Sequence, residues 1–173
     1  EYTPVGRETD LFLYALWQEI VVSGNYKDFT YEKGLNSVTI TGYTGLYGEN
    51  VDLVIPSYID GKPVVAVDGS IHRSPESHNP VSLRAVNIPD TVKKLGAEAF
   101  TLLTVSEPLT IPASVEEIGA HCFSGTTCRL YFEEGNRMPA IGEYAFAGAR
   151  FRNVIVLAKK IERLEANAFS GAT

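Results

Sequence analysis

The chain carries only two cysteines, Cys122 and Cys128, too few to frame a disulfide-dense secreted module, and they say little about compartment. It has no block of basic residues. Fifteen Lys and Arg stand against twenty-one Asp and Glu for a net charge of −6, which argues against nucleic acid and anionic membranes as partners. It also lacks a long hydrophobic run. The densest apolar stretch, Leu11 to Val22, is interrupted by Gln18 and Glu19 and falls well short of the ~20 residues that span a bilayer, so membrane insertion is not expected. Gly42, Gly45 and Gly48 lead into no strand-to-helix transition with a following Lys-Ser or Lys-Thr, so no phosphate-binding loop is present. No metal-ligand spacing occurs, and neither metal nor cofactor is expected. The first residue is Glu1 and no positively charged leader follows it, which fits a processed chain or a trimmed one.

What the chain does have is a period. At 173 residues with 45% hydrophobic and 21% charged content, it has the composition of an ordinary folded protein. Four segments open on Leu95, Ile118, Ile141 and Leu164 and close on Phe100, Phe123, Phe146 and Phe169, each 23 residues after the last. Val92, Val115, Met138 and Ile161 form a third column at the same interval. A 23-residue period lies within the roughly 20 to 29 residues of one coil of a leucine-rich solenoid.

Upstream of each column sits a short alternating run: Val86 and Ile88, Leu109 and Ile111, Leu130 and Phe132, Ile155 and Leu157. Period two indicates a strand with one buried face, and Pro89 and Pro112 end the first two runs because they have no N–H to donate. The fold class expected is therefore an α/β-type repeat solenoid. Each coil consists of a strand, a turn, a second extended piece and one helical turn carrying Ala and Phe. The Phe column should stack as core, and the Gly96, Gly119 and Gly142 column should mark close backbone approach. Lys93 and Lys94 align with Glu116 and Glu117 one coil later, close enough for opposite charges to face across the ladder.

The segments Ile88-Pro89-Asp90-Thr91-Val92-Lys93-Lys94-Leu95-Gly96-Ala97-Glu98-Ala99-Phe100 and Ile111-Pro112-Ala113-Ser114-Val115-Glu116-Glu117-Ile118-Gly119-Ala120-His121-Cys122-Phe123 resemble the BspA-type leucine-rich repeat, whose pattern is Ile-Pro-x-Ser-Val-x-x-Ile-Gly-x-x-Ala-Phe. Residues 38–64 look like an irregular first coil, so the resemblance covers about residues 29 to 173. Glu134-Gly135 and Leu157-Ala158 stand where the pattern has Ile-Pro, and Ile71-His72 where it has Ala-Phe. The resemblance implies secreted or cell-surface bacterial proteins, among them adhesins that bind host or matrix proteins or other cells; it implies binding and names no ligand. Cys128 falls in the turn where that family often has Cys, which implies packing.

Residues 1–50 are expected to form a cap and residues 51–173 a solenoid of about five coils, packed as one domain. The cap would hold an amphipathic helix over residues 9–22, with Leu13, Leu16, Trp17 and Ile20 at helical spacing, and a hairpin of Phe29–Tyr31 with Val38–Thr41. From Val67 to Leu95 the interval grows to 28, and the extra length falls in His72–Pro80, a solvated loop. The final residues follow directly on a repeat's Phe169. An uncovered edge there invites either a longer array or an end-to-end homodimer through the C-terminal coil.

For chemistry the sequence offers little. His121 and Cys122 are adjacent, but Cys122 occupies the column of Ala99, Ala145 and Ala168 and reads as a small buried hydrophobe. Binding is the better prospect. Residues alternating with the buried ones project outward as a ladder of Val54, Asn87, Thr110, Tyr131 and Val156, beside Asp52, Ala85, Pro108, Arg129 and Val154. Asn87, Thr110, Arg129, Tyr131 and Val156 are the candidate ligand-binding residues, with Tyr131 and Arg129 foremost by residue type. The reading is a non-catalytic module binding an extracellular protein or glycan, with a passive spacer in a longer array as the alternative and an enzyme a distant third.

Overall fold

A computed structural model describes residues 22–71, 80–135, 138–155 and 163–173. Fourteen strands run in chain order among them: β1 Val22–Tyr26, β2 Phe29–Lys33, β3 Val38–Tyr43, β4 Gly48–Val54, β5 Tyr58–Ile59, β6 Lys62–Val67, β7 Val81–Asn87, β8 Lys94–Leu95, β9 Leu103–Val105, β10 Leu109–Ile111, β11 Glu117–Ile118, β12 Thr127–Phe132, β13 Ala140–Ile141 and β14 Arg150–Ile155. They form two sheets. The first begins with the antiparallel β1–β2–β3 and continues in parallel through β6, β8, β11 and β13, with a last bridge from Ile141 to Leu164. The second is parallel throughout and contains β4, β7, β9, β10, β12 and β14. Each winding of the chain thus contributes to both sheets, and the result is a strand-rich solenoid of repeats.

The apolar residues of the two inner faces meet in one continuous core that includes Leu83, Val86, Val92, Leu95, Leu109, Ile118, Leu130 and Ile141. Through it runs the aromatic column expected from the period. Phe100, Phe123 and Phe146 are fully buried. Their rings stack at centroid separations of 5.2 Å and 5.3 Å with interplanar angles of 8° and 3°, and Phe169 continues the stack 4.9 Å beyond Phe146. Gly119 and Gly142 sit where the backbones nearly touch: a Cβ at Gly119 would lie 2.7 Å from the Ala97 nitrogen, and one at Gly142 2.8 Å from the Ala120 nitrogen. Close approach, with no need for positive φ, accounts for that column. Lys93 and Glu116 are 3.7 Å apart and Lys94 and Glu117 3.4 Å, the charge pairing that the coil spacing predicts.

The expected helical turns are absent, and no helix occurs among the described residues. The segments carrying Ala and Phe are non-helical turns whose N–H groups point to the next coil. Glu98 donates to the Ala120 carbonyl, Phe100 to Cys122 and Leu102 to Ser124, at 3.0, 2.8 and 2.9 Å. Each turn holds a left-handed residue at the same place: Glu98, His121, Tyr144 and Asn167 have φ of 57°, 55°, 53° and 56°. A non-glycine residue pays roughly 1–2 kcal/mol for this conformation, and the stacking hydrogen bonds offset it. A second left-handed column holds Leu102, Gly125, Gly148 and Gly171. The Ala-Phe spacing resembles one helical turn, but hydrogen bonds between coils take the backbone donors that a helix would use internally.

The hairpin of β2 and β3 is present, and β3 joins β6 so that it merges into the first sheet. The amphipathic helix expected over residues 9–22 lies outside the described residues, apart from Val22, which opens strand β1. The His72–Pro80 insertion also lies outside them, apart from Pro80. One local feature escaped the sequence reading: Asp60 and Gly61, with φ of 50° and 75°, make a two-residue turn between β5 and β6, the type I′ geometry that Asp-Gly favours.

Candidate functional site

The outer face of the second sheet is built by simple alternation. Along β12, Cys128, Leu130 and Phe132 are buried, while Thr127, Arg129 and Tyr131 between them are partly exposed. The same alternation buries Leu109 and Ile111 and turns Thr110 outward on β10. Thr110 pairs in register with Tyr131, and Val54 with Asn87. Pro108 cannot donate to a neighbouring strand, so the chain between β9 and β10 steps out of the ladder there. Asn87, Thr110, Pro108, Pro112 and Glu133 line a shallow depression of about 340 Å³. Arg129 and Tyr131 lie on the same sheet outside its rim.

Val156, the remaining candidate, lies outside the described residues, and the register places Ile155 beside Tyr131. That register follows from an irregularity in the β12–β14 ladder: Cys128 pairs with Phe151 but Leu130 pairs with Val154, which adds one residue to β14 before Val154 and Ile155. A uniform 23-residue interval could not reveal this bulge.

Charge on this face is organised across the strands. Arg84 on β7 forms an ion pair with Asp52 on β4. Arg129 lies 3.8 Å from Glu107 and donates to the Ser106 carbonyl at 3.1 Å. Glu133 accepts from the Ala113 N–H at 3.1 Å. Arg129, a leading candidate from its residue type, is therefore already engaged by its own fold. The sequence reading passed over Arg150 and Arg152 on β14, both of which are exposed on this face. Their signal was available, because Arg152 follows Arg129 by one period.

The pairing of His121 with Cys122 fails on geometry. The His121 ring stacks on Tyr144 at 5.2 Å and 7°, on the exposed side of the turn, whereas Cys122 is fully buried and its thiol pKa is pushed far up by burial. Burial likewise pushes the Cys128 thiol up to about 12, so neither sulfur is a ready nucleophile at neutral pH. Among the described residues no group of three or more His, Cys, Asp or Glu side chains could hold a metal ion. A second depression of about 440 Å³ lies over the first sheet, floored by Gly119 and Gly142 and walled by Glu116, Glu117, Arg163 and Glu165. No nucleophile with an adjacent base lines it.

A ladder of outward side chains on stacked coils is the architecture of a repeat solenoid that presents an extended surface. The chain belongs to the BspA-type leucine-rich repeats: residues 76–173, more than half of its length, match the family described as "BspA type Leucine rich repeat region", in 6 copies. Repeats of this family are typically non-catalytic and mediate protein interactions. Among solved structures, the crystal structure of the pneumococcal vaccine antigen PcpA is similar, with a TM-score of 0.52 and 16% identity. The match covers 90% of this chain and 49% of that one, so this chain spans about half the length of its structural neighbour. At this identity the likeness is one of fold. No curated protein matches the sequence.

Proposed function

We propose that the chain is a non-catalytic binding module of a secreted or cell-surface bacterial protein, and that it recognises an extracellular protein or glycan through the outer face of the second sheet. In this reading residues 1–50 act as a cap and residues 51–173 as the binding array. The observation that carries it is the outward register of Thr110, Arg129 and Tyr131 on the adjacent strands β10 and β12. This is a rigid, partly aromatic surface beside the depression that Asn87 lines. Anchors of this kind, held on strands and partly desolvated, are where binding energy concentrates. Family membership supports interaction over catalysis, and the vaccine-antigen neighbour fits an extracellular setting.

The test is capture. A panel of matrix proteins and bacterial or host glycans is immobilised, and the chain is compared with Tyr131→Ala and with Arg129→Ala, each shown to be folded by circular dichroism. The reading expects at least one captured ligand, and loss of roughly tenfold or more in affinity for Tyr131→Ala, since a buried aromatic anchor contributes about 2 kcal/mol or more. Retained capture by both variants would move binding to another surface of the chain, and capture of nothing on the panel would favour a spacer role.

A further inference from the structure

The charges on the outer face of the second sheet alternate strand by strand until the last step. Asp52 on β4 pairs with Arg84 on β7. The chain at Glu107 lies against Arg84, its N–H donating to the Arg84 carbonyl at 2.8 Å, and the Glu107 carboxylate lies 3.8 Å from Arg129 on β12. A continued alternation would place an acid on β14. Arginine stands there instead. Cys128 is in register with Phe151 and Leu130 with Val154, so Arg129 lies opposite the bulged residues Arg152 and Asn153.

Like charges on neighbouring strands oppose the ladder, and on this face only the Arg129 side of the cluster is offset, by Glu107. Glu107 is directed to Arg129, and among the described residues no carboxylate pairs with Arg150 or Arg152. The chain carries a net charge of −6, so a cluster of three arginines on one face is a local reversal of its overall sign. Tyr131 lies two residues along β12 from Arg129 and adds an aromatic edge to the cluster.

The spacing of these cations selects a ligand geometry. Arg150 and Arg152 are alternate residues of one strand, so they point the same way about 6.6 Å apart along it. An extended peptide repeats its own side chains at that same interval. Two carboxylates at positions i and i+2 of such a peptide, laid along β14, would each meet a guanidinium, and Arg is suited to this by its planar, bidentate donor fork.

We propose that Arg129, Arg150 and Arg152, with Tyr131 beside them, form a docking site for an extended acidic peptide segment of a partner protein, one that carries Asp or Glu at alternate positions. This rests on the outer face being the binding surface, and it names the partner's chemistry. Binding is weak for a single segment and sensitive to salt, because the guanidinium groups are exposed.

The test uses the whole chain and three fluorescein-labelled probes at about 50 mM salt. One is a ten-residue peptide alternating Glu and Ser, the second has the same composition with the Glu residues in one block, and the third is a sulfated polysaccharide. The expected result is saturable anisotropy with the alternating peptide, weaker binding of the block, and a loss of about fivefold or more in Arg150→Gln/Arg152→Gln. Arg84→Gln, which lies outside the cluster, should bind as the parent does. Equal binding of the two peptides, unchanged affinity in the folded double variant, or binding confined to the polysaccharide would overturn the proposal. A milder Arg152→Lys variant keeps the charge and loses the fork, so it provides a readout even if the double variant unfolds. If the peptides fail while Tyr131→Ala still abolishes capture of an extracellular ligand, the acidic-peptide site is wrong and the binding face stands. If both fail, the face itself is wrong.

Discussion

Replacing Phe123 by Ala removes the middle ring of the aromatic spine, and the structure sets how much should be lost. The side chain is fully buried, with Phe100 stacked on one face at 5.2 Å and Phe146 on the other at 5.3 Å. Burial of a Phe contributes roughly 1.5–3 kcal/mol, and each aromatic pair adds about 0.5–1.5 kcal/mol. Both rings belong to fixed backbones of neighbouring coils, so the site cannot collapse to refill the void. The expected cost is therefore at the upper end of the usual range for Phe to Ala, about 4–5 kcal/mol. Phe169 provides the internal comparison. It is 44% exposed and stacks on Phe146 at 4.9 Å, so Phe169→Ala should cost only about 1–2 kcal/mol. Urea titration of the parent and both variants, followed by far-ultraviolet circular dichroism, measures the difference as midpoint shifts. Equal losses in the two variants, or a loss below about 1.5 kcal/mol for Phe123→Ala, would refute the stacked-spine reasoning.

Five further outcomes follow from the same structure. Gly119→Ala places a Cβ 2.7 Å from backbone atoms of Gly96 and Ala97, and since backbone cannot rotate aside it should cost about 1–3 kcal/mol in a denaturant melt. Gly61→Ala meets open space and suffers only its φ of 75°, about 1 kcal/mol. Reversing Lys94 to Glu beside Glu117 should lower stability by less than about 1 kcal/mol, and the loss should fade at high salt because the pair is exposed; a large, salt-independent loss would contradict a surface role. Cys128 has its thiol pKa raised from the model-compound value of 9.0 to about 12 by burial. The folded state then holds a proton that the unfolded state releases, so this contribution to stability is complete below pH 9 and is lost as pH rises towards 12. A thiol reagent at pH 8 should label Cys122 and Cys128 only after denaturant is added.

Much of the architecture is readable from the sequence because stacking imposes a strict interval on residues that must touch. The Phe column, the glycine column and the Lys-to-Glu pairs each repeat at 23 residues for a physical reason, and each is found in contact in the structure. The errors arise where hydrogen bonds between coils override a local pattern. Ala99-Phe100 and its equivalents look helical in isolation, yet the N–H groups of Phe100, Phe123 and Phe146 are donated 22 residues ahead, and the turns hold Glu98, His121, Tyr144 and Asn167 at positive φ. The glycines at 125, 148 and 171 carried a hint of this, weakened by Leu102 in the same column. The bulge between β12 and β14 is likewise invisible to a period, and it sets Ile155 beside Tyr131. On the candidate face, Asn87, Thr110, Arg129 and Tyr131 were legible by alternation. The engagement of Arg129 by Glu107 was not, because it crosses strands at an interval of 22.

The most direct measurement on the proposed binding face is hydroxyl-radical footprinting of the chain with and without an extracellular ligand that it captures. Tyr131 on the outer face of the second sheet and Tyr144 on the turn are both accessible to the radical, and each reports one side of the solenoid. The account predicts protection of Tyr131 with Tyr144 and His121 unchanged. Protection of Tyr144 and His121, with Tyr131 as reactive as in the free chain, would contradict it.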